Sequence, residues 1–170
     1  MDYVEQLLQE HSRPNTNLIA KAIGNNPAEF KKIIELIYKA KAPIPHRASW
    51  LLSAVNEQHP ELLRTYLSKF VDTIESFQVD GVKRNMINVL ASHQIPEKIQ
   101  GKAVDVCFRL LLSPSETVVV KTQAMQVLAN ISEEYPELKQ ELKIAIDDQW
   151  DKNTAAFHAR AKHIRKKLKL

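Results

Sequence analysis

Along almost the whole chain, apolar residues recur at steps of three and four, the spacing that collects them on one face of an α-helix. A short leading helix is expected over about 2–11, with Asp2 as its N-cap and Val4, Leu7 and Leu8 on one face. A second runs over about 17–23 and stops at Gly24, since glycine accepts the left-handed turn that ends helices. Pro27 opens a third through Ala40, carrying Phe30, Ile33, Ile34 and Ile37. Proline in a first turn costs little, because its missing N–H has no helical partner there. Pro43 and Pro45 then break the chain. Helices follow over about 46–58, from Pro60 to Phe77, over 82–93 after a stop at Val79-Asp80-Gly81, and from Pro96 to Leu112. After the turn Ser113-Pro114-Ser115, with Ser115 as N-cap, come a helix to about Glu134, another from Pro136 to Trp150, and a last one over 154–168. No segment alternates like a strand; Thr117–Val120 is too short to count as one.

The pattern repeats. Ala48, Met86, Ala124 and Ala161 fall in one column, separated by 38, 38 and 37 residues. Three positions on stand Leu51, Val89, Val127 and Ile164; four on, Leu52, Leu90, Leu128 and Arg165; seven on, Val55, His93, Ile131 and Leu168. Pro60, Pro96 and Pro136 each follow the first helix of a unit, and Pro27 does so in a shorter opening unit. The expected fold is all-α: a right-handed α-α superhelix (α-solenoid) of about four helix pairs plus a leading and a closing helix, one domain over residues 1–170. A single pair cannot bury its apolar face, and stacking the pairs makes a continuous core. The change from Leu128 to Arg165 fits a closing cap, charged where a further repeat would have packed.

Residues 119–148, VVKTQAMQVLANI followed by YPELKQELKIAIDD, resemble a HEAT repeat, with a basic residue ahead of A-x-x-x-L and a paired second helix. The resemblance extends over roughly residues 13–170 and fits HEAT and armadillo repeats alike. It implies a scaffold for protein partners. It also admits a second function, because some similar helical-repeat proteins bind duplex DNA, including alkylpurine DNA glycosylases built on HEAT-like repeats.

Composition narrows the chemistry. The apolar share of 44% supports a real core, and only three glycines occur, too few and too isolated for a phosphate-cradling loop. The lone Cys107 lies in an apolar run and reads as a core residue. No H-E-x-x-H, C-x-x-C or G-x-S-x-G motif is present, His158 and His163 stand five apart, and the pairs Glu133/Glu134 and Asp147/Asp148 are adjacent. Adjacent helical side chains diverge by roughly 100°, so neither pair suits a catalytic dyad. We therefore expect no enzyme activity, no cofactor and no metal. The acidic N-terminus and the lack of a run of about 20 apolar residues point to a cytoplasmic protein without membrane attachment.

The net charge of +4 is uneven: residues 158–170 hold six Lys/Arg and no acid. Basic residues also stand in the first turn of each unit's first helix, namely His46, Arg47, Lys83, Arg84, Lys121, His158 and Arg160. They form either ion pairs between repeats, with acids such as Asp80 and Glu116, or a positive strip for a partner. Trp150 continues the Leu138, Leu142, Ile146 face and reads as core, whereas Trp50 aligns with Asn88 and Gln126 and reads as partly exposed. The candidate partner-binding set is Arg47, Trp50, Lys83, Arg84, Lys121, Arg160, Lys162, Lys166 and Lys167. The expected ligand is a protein held by the concave helix layer. The alternative is nucleic acid held through its phosphates by the basic ladder and the C-terminal helix.

Overall fold

The computed structural model describes residues 1–170 and contains eleven α-helices and no strand. They are α1 (Tyr3–Gln9), α2 (Arg13–Ile23), α3 (Pro27–Lys39), α4 (Ile44–Gln58), α5 (Pro60–Arg64), α6 (Leu67–Thr73), α7 (Asp80–Ser92), α8 (Glu97–Leu112), α9 (Val118–Ser132), α10 (Glu137–Gln149) and α11 (Ala155–Leu168). Short 3-10 turns follow α6 at Ile74–Ser76 and α10 at Trp150–Lys152. Local chemistry sets many of the boundaries. Asp2, Ser12, Asn26 and Thr117 each accept hydrogen bonds from the first-turn N–H groups of the helix they precede, which would otherwise lack partners. Gly24 ends α2 at φ 51°, a backbone angle that a side chain would resist.

The first helices of successive units pack side by side in the order α2, α4, α7, α9, α11. The second helices, α3, α5–α6, α8 and α10, lie against them as another layer. Helix α1 closes the N-terminal end over α2 and α4. The column residues do what their spacing requires. Ala48, Met86, Ala124 and Ala161 are fully buried, and Leu51, Val89, Val127 and Ile164 are buried beside them. Together they belong to one continuous core of 46 side chains reaching from Tyr3 to Leu168. Helix α9 is the most enclosed, with 10 of its 15 residues buried, because it has α7, α8, α10 and α11 around it.

Four details differ from the sequence reading. In α1 the buried face is Tyr3 and Leu7, while Val4 and Leu8 are exposed; Tyr3 turns inward because its hydroxyl donates to Glu29 Oε2 at 2.6 Å. The expected helix 60–77 is split at Thr65-Tyr66. There the Thr65 hydroxyl donates to the Leu62 carbonyl and the Tyr66 N–H to the Leu63 carbonyl, a side-chain competition that tightens the turn. Val79-Asp80-Gly81 starts a helix rather than stopping one, and Gly81 sits in the first turn of α7 against the His46 ring. The N-cap of α9 is Thr117, not Ser115, because the Ser113 and Ser115 hydroxyls bond within the turn.

Candidate interaction face

The two layers present unlike surfaces. On α4, α7 and α9, Trp50, Ser53, Asn56, Arg84, Asn88 and Gln126 reach the surface half-buried. Along the second helices Lys32, Asp72, Lys102, Asp105, Arg109 and Glu141 are exposed. This first-helix face is also polar. Asn85 donates to Ser49 Oγ at 2.8 Å, Asn56 to Ser92 Oγ at 2.9 Å, and Asn130 to the Ala91 carbonyl at 3.0 Å. His93, at the edge of the core, bonds Asn56 Oδ1 at 2.6 Å. These bonds tie α4 to α7 and α7 to α9, and a buried polar group is tolerated only when paired in this way.

The nine candidate residues fall into three groups. Five are engaged inside the fold. The Arg47 guanidinium donates to the Leu7 and Leu8 carbonyls at 2.7 and 3.2 Å, satisfying the C-terminal end of α1. Lys83 pairs with Glu116 at 2.5 Å, both side chains largely buried. Lys121 is only 4% exposed and donates to Gln149 Oε1 at 2.9 Å. Burial first, and then Lys152 nearby, hold its ammonium pKa below the ordinary value. Arg160 donates to Gln126 Oε1 at 2.8 Å, and Lys167 pairs with Glu133. A second group, Lys162 and Lys166, is exposed on α11 with no carboxylate partner.

The third group is Trp50 and Arg84. With Arg13, Thr16, Ser53 and Asn85 they line a cleft of about 190 Å³ between α2, α4 and α7. One side of Trp50 packs on His11, ring centroids 4.1 Å apart, and on the edge of His46 at 6.5 Å. Burial, with the charges of His46 and Arg47, lowers the His11 pKa, so this ring stays neutral in a cluster that already holds one guanidinium. Arg13 is paired with Glu57, whereas Arg84 has no carboxylate partner. An aromatic edge beside a guanidinium suits a planar or anionic group on a partner.

At the closing end, Trp150 is stacked by His158 at 4.2 Å and covered by Arg165 at 4.9 Å, and Arg165 also pairs with Asp147. The charged residue of the Leu52 column thus folds back over α10 and the turn after it.

Sequence reasoning missed the Asn and Gln ladder. Its signal was there in the amides at 56, 85, 126 and 130, but nothing in the spacing says whether an amide meets water or the next helix. No helix is long and apolar enough to cross a membrane. No curated protein and no solved structure matches the chain. A family model described as a HEAT repeat domain matches residues 3–168, and with that match spanning the stacked pairs, the chain belongs to the HEAT repeat domain family.

Proposed function

We propose that the chain is a non-enzymatic scaffold that binds a protein partner along its first-helix face, as HEAT repeats commonly do. The observation that carries this reading is the cleft in which Trp50 and the unpaired Arg84 meet. A half-buried tryptophan beside an arginine with no ionic partner is the kind of pair that dominates protein interfaces. The amide ladder holds the neighbouring helices in register, so the face is presented without a large ordering cost. The test is capture of a partner by the intact chain, repeated with Trp50→Ala and Arg84→Glu. Loss of capture with unchanged thermal stability supports the reading; capture that survives both substitutions removes this face from it.

A second reading, nucleic-acid binding, is favoured by the exposed lysines Lys162 and Lys166 on the last helix and Lys169 just after it. Phosphate contacts of this kind weaken steeply with salt. Anisotropy titrations with duplex DNA and single-stranded RNA at about 50 and 200 mM salt separate the two readings. Salt-sensitive binding that vanishes with Lys162→Glu and Lys166→Glu favours nucleic acid. Absence of binding at the lower salt eliminates it.

A further inference from the structure

Apart from the Trp50 cleft, with which they share no residue, two depressions of about 890 and 620 Å³ share Glu97, Gln100 and Tyr135, and so form one groove. It begins at the turns joining the helices of each pair and continues between α8 and α10. Its charge is one-sided. Glu97, Glu134, Asp105, Glu137 and Glu141 line it, against the single base Arg64. None of these five carboxylates takes part in an ion pair, although the chain forms eleven such pairs elsewhere. Glu134 receives only two long amide contacts, at 3.4 Å each, from Gln94 and Gln100.

Between the acids runs apolar surface: Val104 and Phe108 from α8, Tyr135 from the turn before α10 and Leu138 from its first turn, all half-buried. Gly101 lies among them, and a Cβ built there meets no atom within 4 Å, so the groove is open at that point. A second feature points the same way. Gln100 is 7% exposed and lines both halves. Its Nε2 donates to the Ile95 carbonyl, which fixes the amide orientation and leaves the buried Oε1 without a donor. A site with unpaired carboxylates, a spare amide acceptor and an apolar strip lacks N–H donors carried on an apolar body.

We propose that this groove docks a basic amphipathic helix of a protein partner, with Lys or Arg side chains set against Glu97, Asp105, Glu134 and Glu141 and apolar side chains on Val104, Phe108 and Leu138. The inference names a partner chemistry for the protein-scaffold reading and rests on it, while using a site that shares no residue with the Trp50 cleft. The dimensions agree. From Glu97 to Phe108 the groove follows α8 for about 16 Å, at roughly 1.5 Å per residue, or three turns of a docked helix. Two neighbouring helices with an apolar floor are the usual receptor for such a ligand. The opposite charges supply orientation and a fast encounter more than raw affinity.

The test uses the full chain and a fluorescein-labelled helix of about 18 residues, with leucines at helical spacing on one face and lysines elsewhere. Anisotropy is read at about 50 and 200 mM salt. The unmodified chain is expected to bind, and Glu97→Lys with Glu141→Lys is expected to weaken binding at least tenfold. Gly101→Trp fills the groove without changing any charge, and replacing glycine in a helix does not weaken it; it too is expected to cost at least tenfold. Arg84→Glu in the Trp50 cleft is expected to leave this binding unchanged while abolishing partner capture, so failure of the groove and failure of the first-helix face are read separately. Equal binding by Gly101→Trp, or equal binding of a peptide with glutamate in place of every lysine, overturns the proposal. So does sedimentation showing a dimer that Gly101→Trp dissociates, since the groove's occupant is then a second copy of the chain.

Discussion

The first-helix face and the α8–α10 groove carry opposite charge, but the more instructive difference lies in how that charge is spent. On the first-helix side, basic residues are numerous in the sequence and mostly committed in the fold: Arg47 to two carbonyls, Lys83 to Glu116, Lys121 to Gln149, Arg160 to Gln126. Around the groove, Glu134, Glu137 and Glu141 come from one acidic stretch of the sequence and Glu97 and Asp105 from α8, and all five stand without an ionic partner. An excess of basic residues over acidic ones therefore says little about which surface is available. Charge left unpaired after folding is the better guide, because a paired side chain must first break its internal contact before it can serve a ligand.

The sharpest way to break this comparison is to reverse one buried and two exposed lysines. Lys121→Glu places a carboxylate where a 4%-exposed ammonium was held, leaving a buried charge without a donor, and is expected to cost about 3 kcal/mol of stability. Lys162→Glu with Lys166→Glu is expected to stay within about 0.5 kcal/mol of the parent. Urea unfolding of the three proteins decides it; equal losses would show that Lys121 is not a structural link.

The glycines divide along the same line. Gly81→Ala drives a Cβ to within 2.4 Å of the His46 ring, and overpacking of this kind is expected to cost about 1–3 kcal/mol. Gly101→Ala points into the open groove and is expected to stabilise the chain by up to about 1 kcal/mol, through helix propensity alone. Opposite shifts in thermal midpoint would bear out the contrast, and shifts of the same sign would contradict it.

Acid titration gives a smaller effect in two steps. His11 and His93 both have pKa values lowered from 6.5, chiefly by burial, so the native state resists a proton that the unfolded chain accepts. Stability is fully present above pH 6.5 and falls as the pH drops through that value toward the lowered native pKa. A second loss is expected below about pH 4.5. There Glu29, Glu75, Asp147 and Asp148, whose pKa values are lowered mainly by hydrogen bonds from Lys32, Arg109, Lys143 and Lys152, take up protons. Replacing both histidines with Gln should erase the first step in a urea series across pH and leave the second. The smallest expected signal is at Cys107, whose thiol is pushed up to about 12 by burial. A thiol reagent at neutral pH should modify it only at the rate of unfolding.

Much of the fold was legible because it rests on local rules. The proline-started second helices, the glycine stop at Gly24, the cap at Asp2 and the 38-residue column of Ala48, Met86 and Ala124 could all be read directly, and each follows from backbone geometry or from apolar spacing. The errors were also local and small. Tyr3 displaced Val4 from the core because a phenol can bury its ring and still reach Glu29, and the break at Thr65 came from a hydroxyl competing for a carbonyl. The candidate surface was harder to read. Arg84 and Lys83 are neighbours in sequence, yet one lines a cleft and the other is paired with Glu116, 33 residues away.

The sequence by itself determined the helical class, the repeat length and the number of stacked pairs, since periodicity and punctuation act over a few residues at a time. The tertiary structure alone decided which charges are free. That depends on whether the neighbouring repeat happens to offer a carbonyl, an amide or a carboxylate within about 3 Å, and such partners lie a full repeat away along the chain, beyond the reach of any local pattern.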